Sequence, residues 1–236
     1  MIIKKKNLEK AYDHLKWSFM RTLQNNIGFC QETIKLIVSC ISSTATSIFF
    51  NCTKLEEFKP SRGIHQGNPI SPYIFILCME FLGALINKKC VDREWDKVKA
   101  LKNGPGFSHM FFADDLLLFA KANTQNCNAI EEVLEEFYGL SGQKVSQEKS
   151  KNFFSPNVPE DTRDTICNQL QIKATCDLGR YLGFRILRKG RNIRAFQFVF
   201  ERIQSKLEGW KSKLLSPTSR LVLINSTATP IPGYFM

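Results

Sequence analysis

Asp114 and Asp115 stand side by side in Phe111-Phe112-Ala113-Asp114-Asp115-Leu116-Leu117-Leu118-Phe119, two carboxylates at the centre of an otherwise apolar run. Ionised carboxylates leave water only at a large cost unless their charge is compensated. One or two divalent cations would compensate it, since hard cations take oxygen ligands. The run has the length of two short strands rich in aromatic and aliphatic residues, so the economical geometry is a tight β-hairpin with the pair at its tip. On these residues alone a polar turn between two core strands is the alternative, because Asp is a common turn residue.

A second stretch suited to a ligand is Pro60-Ser61-Arg62-Gly63-Ile64-His65-Gln66-Gly67-Asn68-Pro69-Ile70-Ser71-Pro72. Its glycines and prolines enforce an irregular loop, and Ser71-Pro72 reads as an N-cap followed by Pro at the first helical position. An apolar helix is predicted from Pro72 to about Asn87. A glycine-containing loop that carries Arg62 and Gln66 into a helix N-terminus lets backbone approach a flat or anionic ligand. Taken alone it reads equally as a surface loop before a core helix.

Other elements must position these two stretches. Met1 to Lys6 reads as a strand, followed by a helical segment to about Gly28 with Leu15, Phe19 and Leu23 at four-residue spacing. Gln31 to Ser42 repeats the helical pattern, and Thr46–Phe50 with Leu55–Lys59 suggests a hairpin through Asn51. Lys88 to Pro105 reads as a charged connector. Asn123-Thr124 caps a helix with Ile130, Val133, Leu134, Phe137 and Tyr138 on one face and a solvated face of Glu131, Glu132, Glu135 and Glu136, stopped by Gly142. Gln143 to Phe154 turns into a strand with a basic edge, and Leu178 to Phe184 has the glycine spacing of a tight hairpin. Phe196, Phe200, Ile203, Leu207, Trp210 and Leu214 predict an amphipathic helix with Arg202, Lys206, Lys211 and Lys213 along or beside its polar face. Ser216-Pro217 then restarts a helix through Leu221 and Ile224, ending before Pro230. These two basic helices suit a nucleic-acid clamp or an ordinary helical subdomain.

The 236 residues can bury one substantial core plus a smaller subdomain. With 33 Lys+Arg against 22 Asp+Glu the formal charge is +11, which points to an anionic partner, most simply a nucleic-acid backbone. The eight cysteines form neither a C-x-x-C pair nor a regular framework, so neither a zinc nor a disulfide scaffold is indicated and they read as ordinary reduced core residues. Met1-Ile2-Ile3 is too short for a signal peptide and no run reaches membrane-spanning length, so an intracellular protein without membrane partners is expected.

The motifs N-L-E-K-A-Y-D, R-G-I-H-Q-G-N-P-I-S-P-Y, F-F-A-D-D-L-L-L-F, S-G-Q-K-V-S-Q-E-K-S and G-R-Y-L-G, in this order, resemble the reverse transcriptase of LINE-type non-LTR retrotransposons, particularly the plant lineage. The likeness covers essentially the whole chain. It implies an α+β fold: a right-hand polymerase palm of antiparallel strands backed by helices, with partial fingers over residues 1–185 and the start of a helical thumb over 186–236. It implies two magnesium ions, with Asp114 a direct ligand and Asp115 a second, less essential one, and as partners an RNA template, a DNA primer and deoxynucleoside triphosphates. By the same resemblance Tyr12 lies beneath the incoming sugar, with a buried core tyrosine as the alternative. Arg62, Gly63, Gln66 and Gly67 form the loop that touches template and nucleotide. Lys149 lies near the leaving pyrophosphate as a proton donor, and Tyr181, Leu182 and Gly183 position the primer end.

Three positions depart from the family pattern. Asn7 stands where the family has its other catalytic aspartate, Lys6 where it prefers an apolar residue, and Asn68 where it usually has Asp. An amide oxygen can coordinate a cation but brings no charge. The chain opens at this first motif, so the upstream fingers segment, the endonuclease and any RNase H domain are expected to lie outside it. Two functions follow: an RNA-directed DNA polymerase domain, or a catalytically inactive remnant that at most binds nucleic acid through its positive charge. A basic globular protein with no nucleic-acid role is the third.

Overall fold

The computed structural model describes residues 2–99, 101–146, 150–177, 180–181, 184–185, 197–208 and 215–231. They divide into two compact units, Met1–Cys176 and Asp177–Met236.

The first unit is built on a five-stranded sheet. Strand β1 (Ile2–Asn7) lies at its centre, antiparallel to β7 (Asp115–Ala120) on one side and β8 (Lys151–Phe154) on the other. Strand β6 (His109–Phe112) pairs antiparallel with β7 to form one edge, and β9 (Ala174–Thr175) forms the other, in the order β6-β7-β1-β8-β9. The β8–β9 pair is parallel. The helix between them, α5 (Glu160–Leu170), is the crossover that a parallel pair requires.

Helices α1 (Trp17–Ile27), α3 (Ser71–Val91) and α4 (Thr124–Ser141) cover one face of this sheet. Leu116, Leu118 and Ala120 of β7 share one core with Phe19 and Met20 of α1, Ile74 and Leu82 of α3, and Ile130 and Phe137 of α4. Ring contacts lock the layer, with Phe19 edge-on to Phe81 at 5.4 Å and to Phe137 at 6.4 Å. Strand pleating puts alternate residues on opposite faces and directly paired residues on the same face. Asp115 therefore falls on the face away from the helices, and the register sets it opposite position 7 of β1.

The expected helix before Gly28 begins later than its spacing suggests, at Trp17. Residues 8–16 put their backbone groups into neighbouring segments instead: the Glu9 amide donates to the Lys144 carbonyl (2.8 Å), the Lys16 amide to Ser141 (2.9 Å), and the Leu15 carbonyl accepts from Gly63 (2.8 Å). Helix α2 (Gln31–Ser42) has the predicted bounds. Strands β2 (Phe49–Phe50) and β3 (Thr53–Lys54) form the expected hairpin, prolonged by the Thr46–Phe58 bridge. Ser71 lies inside α3 rather than at its cap. Its hydroxyl donates to the His65 carbonyl at 2.8 Å and Ile70 takes the cap position.

The stretch 88–105 is more than a connector. Strand β4 (Val98–Lys99) pairs with β5 (Gly106–Phe107), and Trp95 is 1% exposed with its indole N–H donating to the Phe119 carbonyl at 2.9 Å. Of the glutamates on α4, Glu132 pairs with Lys89 and Glu131 accepts from Gln169. All eight cysteines are free, but the core expectation fails for Cys30, Cys40, Cys52 and Cys176, which are exposed.

The second unit contains a short hairpin, β10 (Arg180–Tyr181) with β11 (Phe184–Arg185), then helix α6 (Gln197–Leu207) and helix α7 (Pro217–Leu223), continued by a π-helical turn over Ile224–Ala228. Ser216 caps α7 by accepting from the Ser219 amide. The expected apolar face of α6 is corrected at Phe200, which is exposed while Val199 is buried. Phe196, Trp210 and Leu214 lie outside the described residues. No helix among the described residues is long and apolar enough to cross a membrane.

Candidate functional site

Strands β6 and β7 meet through a two-residue loop, Ala113-Asp114, closed by the Phe112–Asp115 pair. Ala113 has φ 48°, the left-handed conformation that primed hairpin turns demand and that costs a non-glycine residue energy. Asp114 is thus an exposed loop-tip residue and Asp115 the first, half-buried residue of β7, immediately before the buried Leu116. The end of β1 is bound to this tip. Asn7 pairs with Asp115 across the ladder, and the Leu8 amide donates to the Asp114 carbonyl at 3.2 Å. Directly opposed antiparallel residues have Cα atoms roughly 4.5–5.5 Å apart, so positions 7, 114 and 115 form one cluster.

The segment after Asn7 is clamped from both sides. On one side the Ile64 amide donates to the Tyr12 carbonyl and the Gly63 amide to Leu15, both at 2.8 Å, while the Trp17 indole N–H donates to the Gly63 carbonyl at 2.7 Å. The fit admits only glycine: Gly63 has φ +88°, and a Cβ there would lie 2.7 Å from the Asp13 carbonyl oxygen. On the other side the buried Gln143 amide donates to the Ala11 carbonyl at 2.7 Å. A Cβ on Gly142 would lie 2.8 Å from the His14 carbonyl oxygen. The Tyr12 ring stacks on Phe75 of α3, centroids 5.0 Å apart and planes 14° apart, and stays partly exposed.

In the loop, Arg62, Gln66 and Gly67 are exposed, and Gly67 has open space around it at φ +97°. Arg62 and His65 line a pocket of about 270 Å³ with Asp13, Thr44 and Thr46. The structure therefore brings Asn7, Tyr12, Gly63, Asp114 and Asp115 onto connected backbone. Lys149, Leu182 and Gly183 lie outside the described residues, and Tyr181 pairs with Phe184 in the second unit. Trp17 and Gln143 were not singled out from sequence. No periodicity marks a buried glutamine, and only its place inside S-G-Q-K-V-S-Q-E-K-S hinted at a role.

The donor set suits a hard cation. Asp114 and Asp115 bring carboxylate oxygens at an accessible tip, and the residue type at position 7 brings a neutral amide oxygen. Among the described residues no group of three or more His, Cys, Asp or Glu gathers as a metal cluster.

A mostly antiparallel sheet backed by helices, with adjacent aspartates at the tip of its edge hairpin, has the architecture of a polymerase-like palm. The chain belongs to the reverse transcriptase (RNA-dependent DNA polymerase) family, whose model matches residues 3–186. It is 23% identical over 232 residues to the retrovirus-related Pol polyprotein from a type-2 retrotransposable element of Drosophila melanogaster, covering 95% of this chain and 21% of the polyprotein. A 56-residue stretch is 43% identical to an uncharacterised mitochondrial protein of Arabidopsis thaliana, covering 24% of this chain and 46% of that protein. The chain thus spans less than half the length of either relative. In fold it is similar to telomerase from Candida albicans (TM-score 0.53, 12% identity, 86% of this chain and 35% of that one) and from Candida tropicalis (TM-score 0.53, 14% identity, 88% and 34%).

Proposed function

We propose that this chain is the RNA-directed DNA polymerase domain of a non-LTR retrotransposon, with its metal site weakened at Asn7. The observation that carries the reading is the pairing of Asn7 with Asp115 beside the Asp114 tip. A cluster of that kind at the tip of a palm hairpin suits nucleotidyl transfer.

In that reaction the primer 3′-hydroxyl attacks the α-phosphate of a deoxynucleotide and the bond to pyrophosphate breaks. Magnesium, when bound, stabilises the attacking and leaving oxygens. Asp114 and Asp115 are the residues that would hold it. Asn7 adds no charge, and this favours a second reading, in which the chain grips RNA without extending a primer. Tyr12, fixed by Phe75 and the Ile64 amide, lies under the sugar and leaves no room for a 2′-hydroxyl. Arg62, Gly63, Gln66 and Gly67 meet template and nucleotide, Lys149 gives a proton to the departing pyrophosphate, and Tyr181, Leu182 and Gly183 seat the primer end.

The test is template choice by the Asn7→Asp chain. It should extend a DNA primer on an RNA template with deoxynucleotides, and Tyr12→Ala in that background should admit ribonucleotides. Copying of DNA templates alone, or no copying by the repaired chain, contradicts the polymerase reading.

A further inference from the structure

The β2–β3 hairpin carries more aromatic surface than a two-stranded element can hide. Phe49 is 71% exposed, Phe50 65% and Phe58 52%, with Ile48 and Leu55 also exposed. The register places Phe49 beside Lys54 on one face, and Phe50 beside Thr53 on the other with Ile48 and Leu55. Neither face joins either core cluster of buried residues. Isolated hairpins are marginal in water, and contiguous exposed apolar surface of this kind marks an interaction site.

We infer that this hairpin is a stacking platform for single-stranded RNA, extending the path of the template beyond the Arg62–Gly67 loop. The inference rests on the polymerase reading and adds a surface to it. Three observations choose RNA as the occupant. The hairpin runs through Lys59 and Pro60 directly into the loop, and Thr46 at its base lines the same pocket as Arg62 and His65. Its large side chains are mainly phenylalanines, whose faces accept any base, and aromatic stacking holds bases without sequence preference. The chain that carries them is basic overall. Lys54 takes up Glu57 in an exposed ion pair, and Lys59 and Arg62 stand against Glu56 and the pocket's Asp13, within a chain of net charge +11.

Binding of the full chain to a short RNA carrying 2-aminopurine tests this. The parent is expected to quench the fluorophore. Phe49→Ala/Phe50→Ala should bind about ten- to a hundredfold more weakly, with the salt dependence unchanged, because stacking releases no counterions. Phe49→Trp/Phe50→Trp should restore affinity, and Lys59→Ala/Arg62→Ala should flatten the salt dependence. Both phenylalanines are exposed, so the far-UV spectrum and melting temperature of the alanine pair should match the parent. Parental RNA affinity in the alanine pair overturns the inference. So does a dimeric parent that the alanine pair makes monomeric with RNA binding intact, since the face then belongs to a second copy. A parent that binds no RNA at all contradicts the polymerase reading as well.

Discussion

Asn7 lies directly opposite Asp115 in the β1–β7 ladder, and the next amide along β1, that of Leu8, is bonded to the carbonyl of Asp114. The backbone holds the first-motif position against the aspartate pair whether or not residue 7 carries a charge. Substituting Asn for Asp there alters the chemistry of the cluster and leaves its scaffold in place.

Metal affinity should follow that substitution. Manganese, followed by its electron spin resonance signal, is expected to bind the parent weakly, and Asn7→Asp should bind it about ten- to a hundredfold more tightly, because hard-cation affinity rises with ligand charge. Asp114→Asn should remove the binding. Equal affinity in the parent and Asn7→Asp would place position 7 outside the cation site.

Gly63 and Gly67 share a left-handed φ but differ in surroundings: a Cβ meets the Asp13 backbone at the first and open space at the second. Gly63→Ala should therefore cost about 2 kcal/mol or more of stability, and Gly67→Ala nearer 1 kcal/mol. Urea unfolding reads the difference. Equal losses would contradict the close packing of the loop on residues 12–15.

How much of this could be read from the sequence differs by element. Features set by neighbouring residues were legible: the bounds of α2, the Asn123 cap whose side chain accepts from the Asn126 amide at 2.8 Å, the stops at Gly28 and Gly142, and the Asp114 hairpin. Features set by distant partners were not. The hydrophobic spacing through Leu15 suggested helix, but the backbone of residues 8–16 is committed to Gly63, Ile64, Ser141 and Lys144. Trp95, a lone aromatic in a charged stretch, offered no period by which to place it in the core. In the site, residue types and motif order pointed to the aspartates and the loop as candidates, whereas the convergence of Gly63 and Gln143 on the Tyr12 segment exists only in three dimensions.

His109 makes stability depend on pH. It is half-buried, stacked on Phe111 at 4.5 Å, and burial lowers its pKa, with Glu80 pulling it back up and Lys97 pushing it further down. A folded-state pKa below the unfolded value of about 6.5 means that the proton binds the unfolded chain more tightly. Stability should hold above pH 6.5 and fall as the pH drops through the folded-state value. The urea midpoint at pH 7.5 against that at pH 5 should show the loss, and His109→Phe should reduce it. An identical loss in the variant would assign the dependence to other groups.

Primer extension on an RNA template, with magnesium and deoxynucleotides, is the most direct test of the claim that Asn7 limits an otherwise assembled polymerase site. A missing carboxylate ligand worth ~3–5 kcal/mol of transition-state stabilisation corresponds to a factor of roughly a hundred to several thousand in rate. The account predicts that Asn7→Asp extends faster than the parent by about that factor, and that adding Asp114→Asn returns it to the parental level or below. Equal rates for the parent and Asn7→Asp, or extension that survives Asp114→Asn, would contradict it.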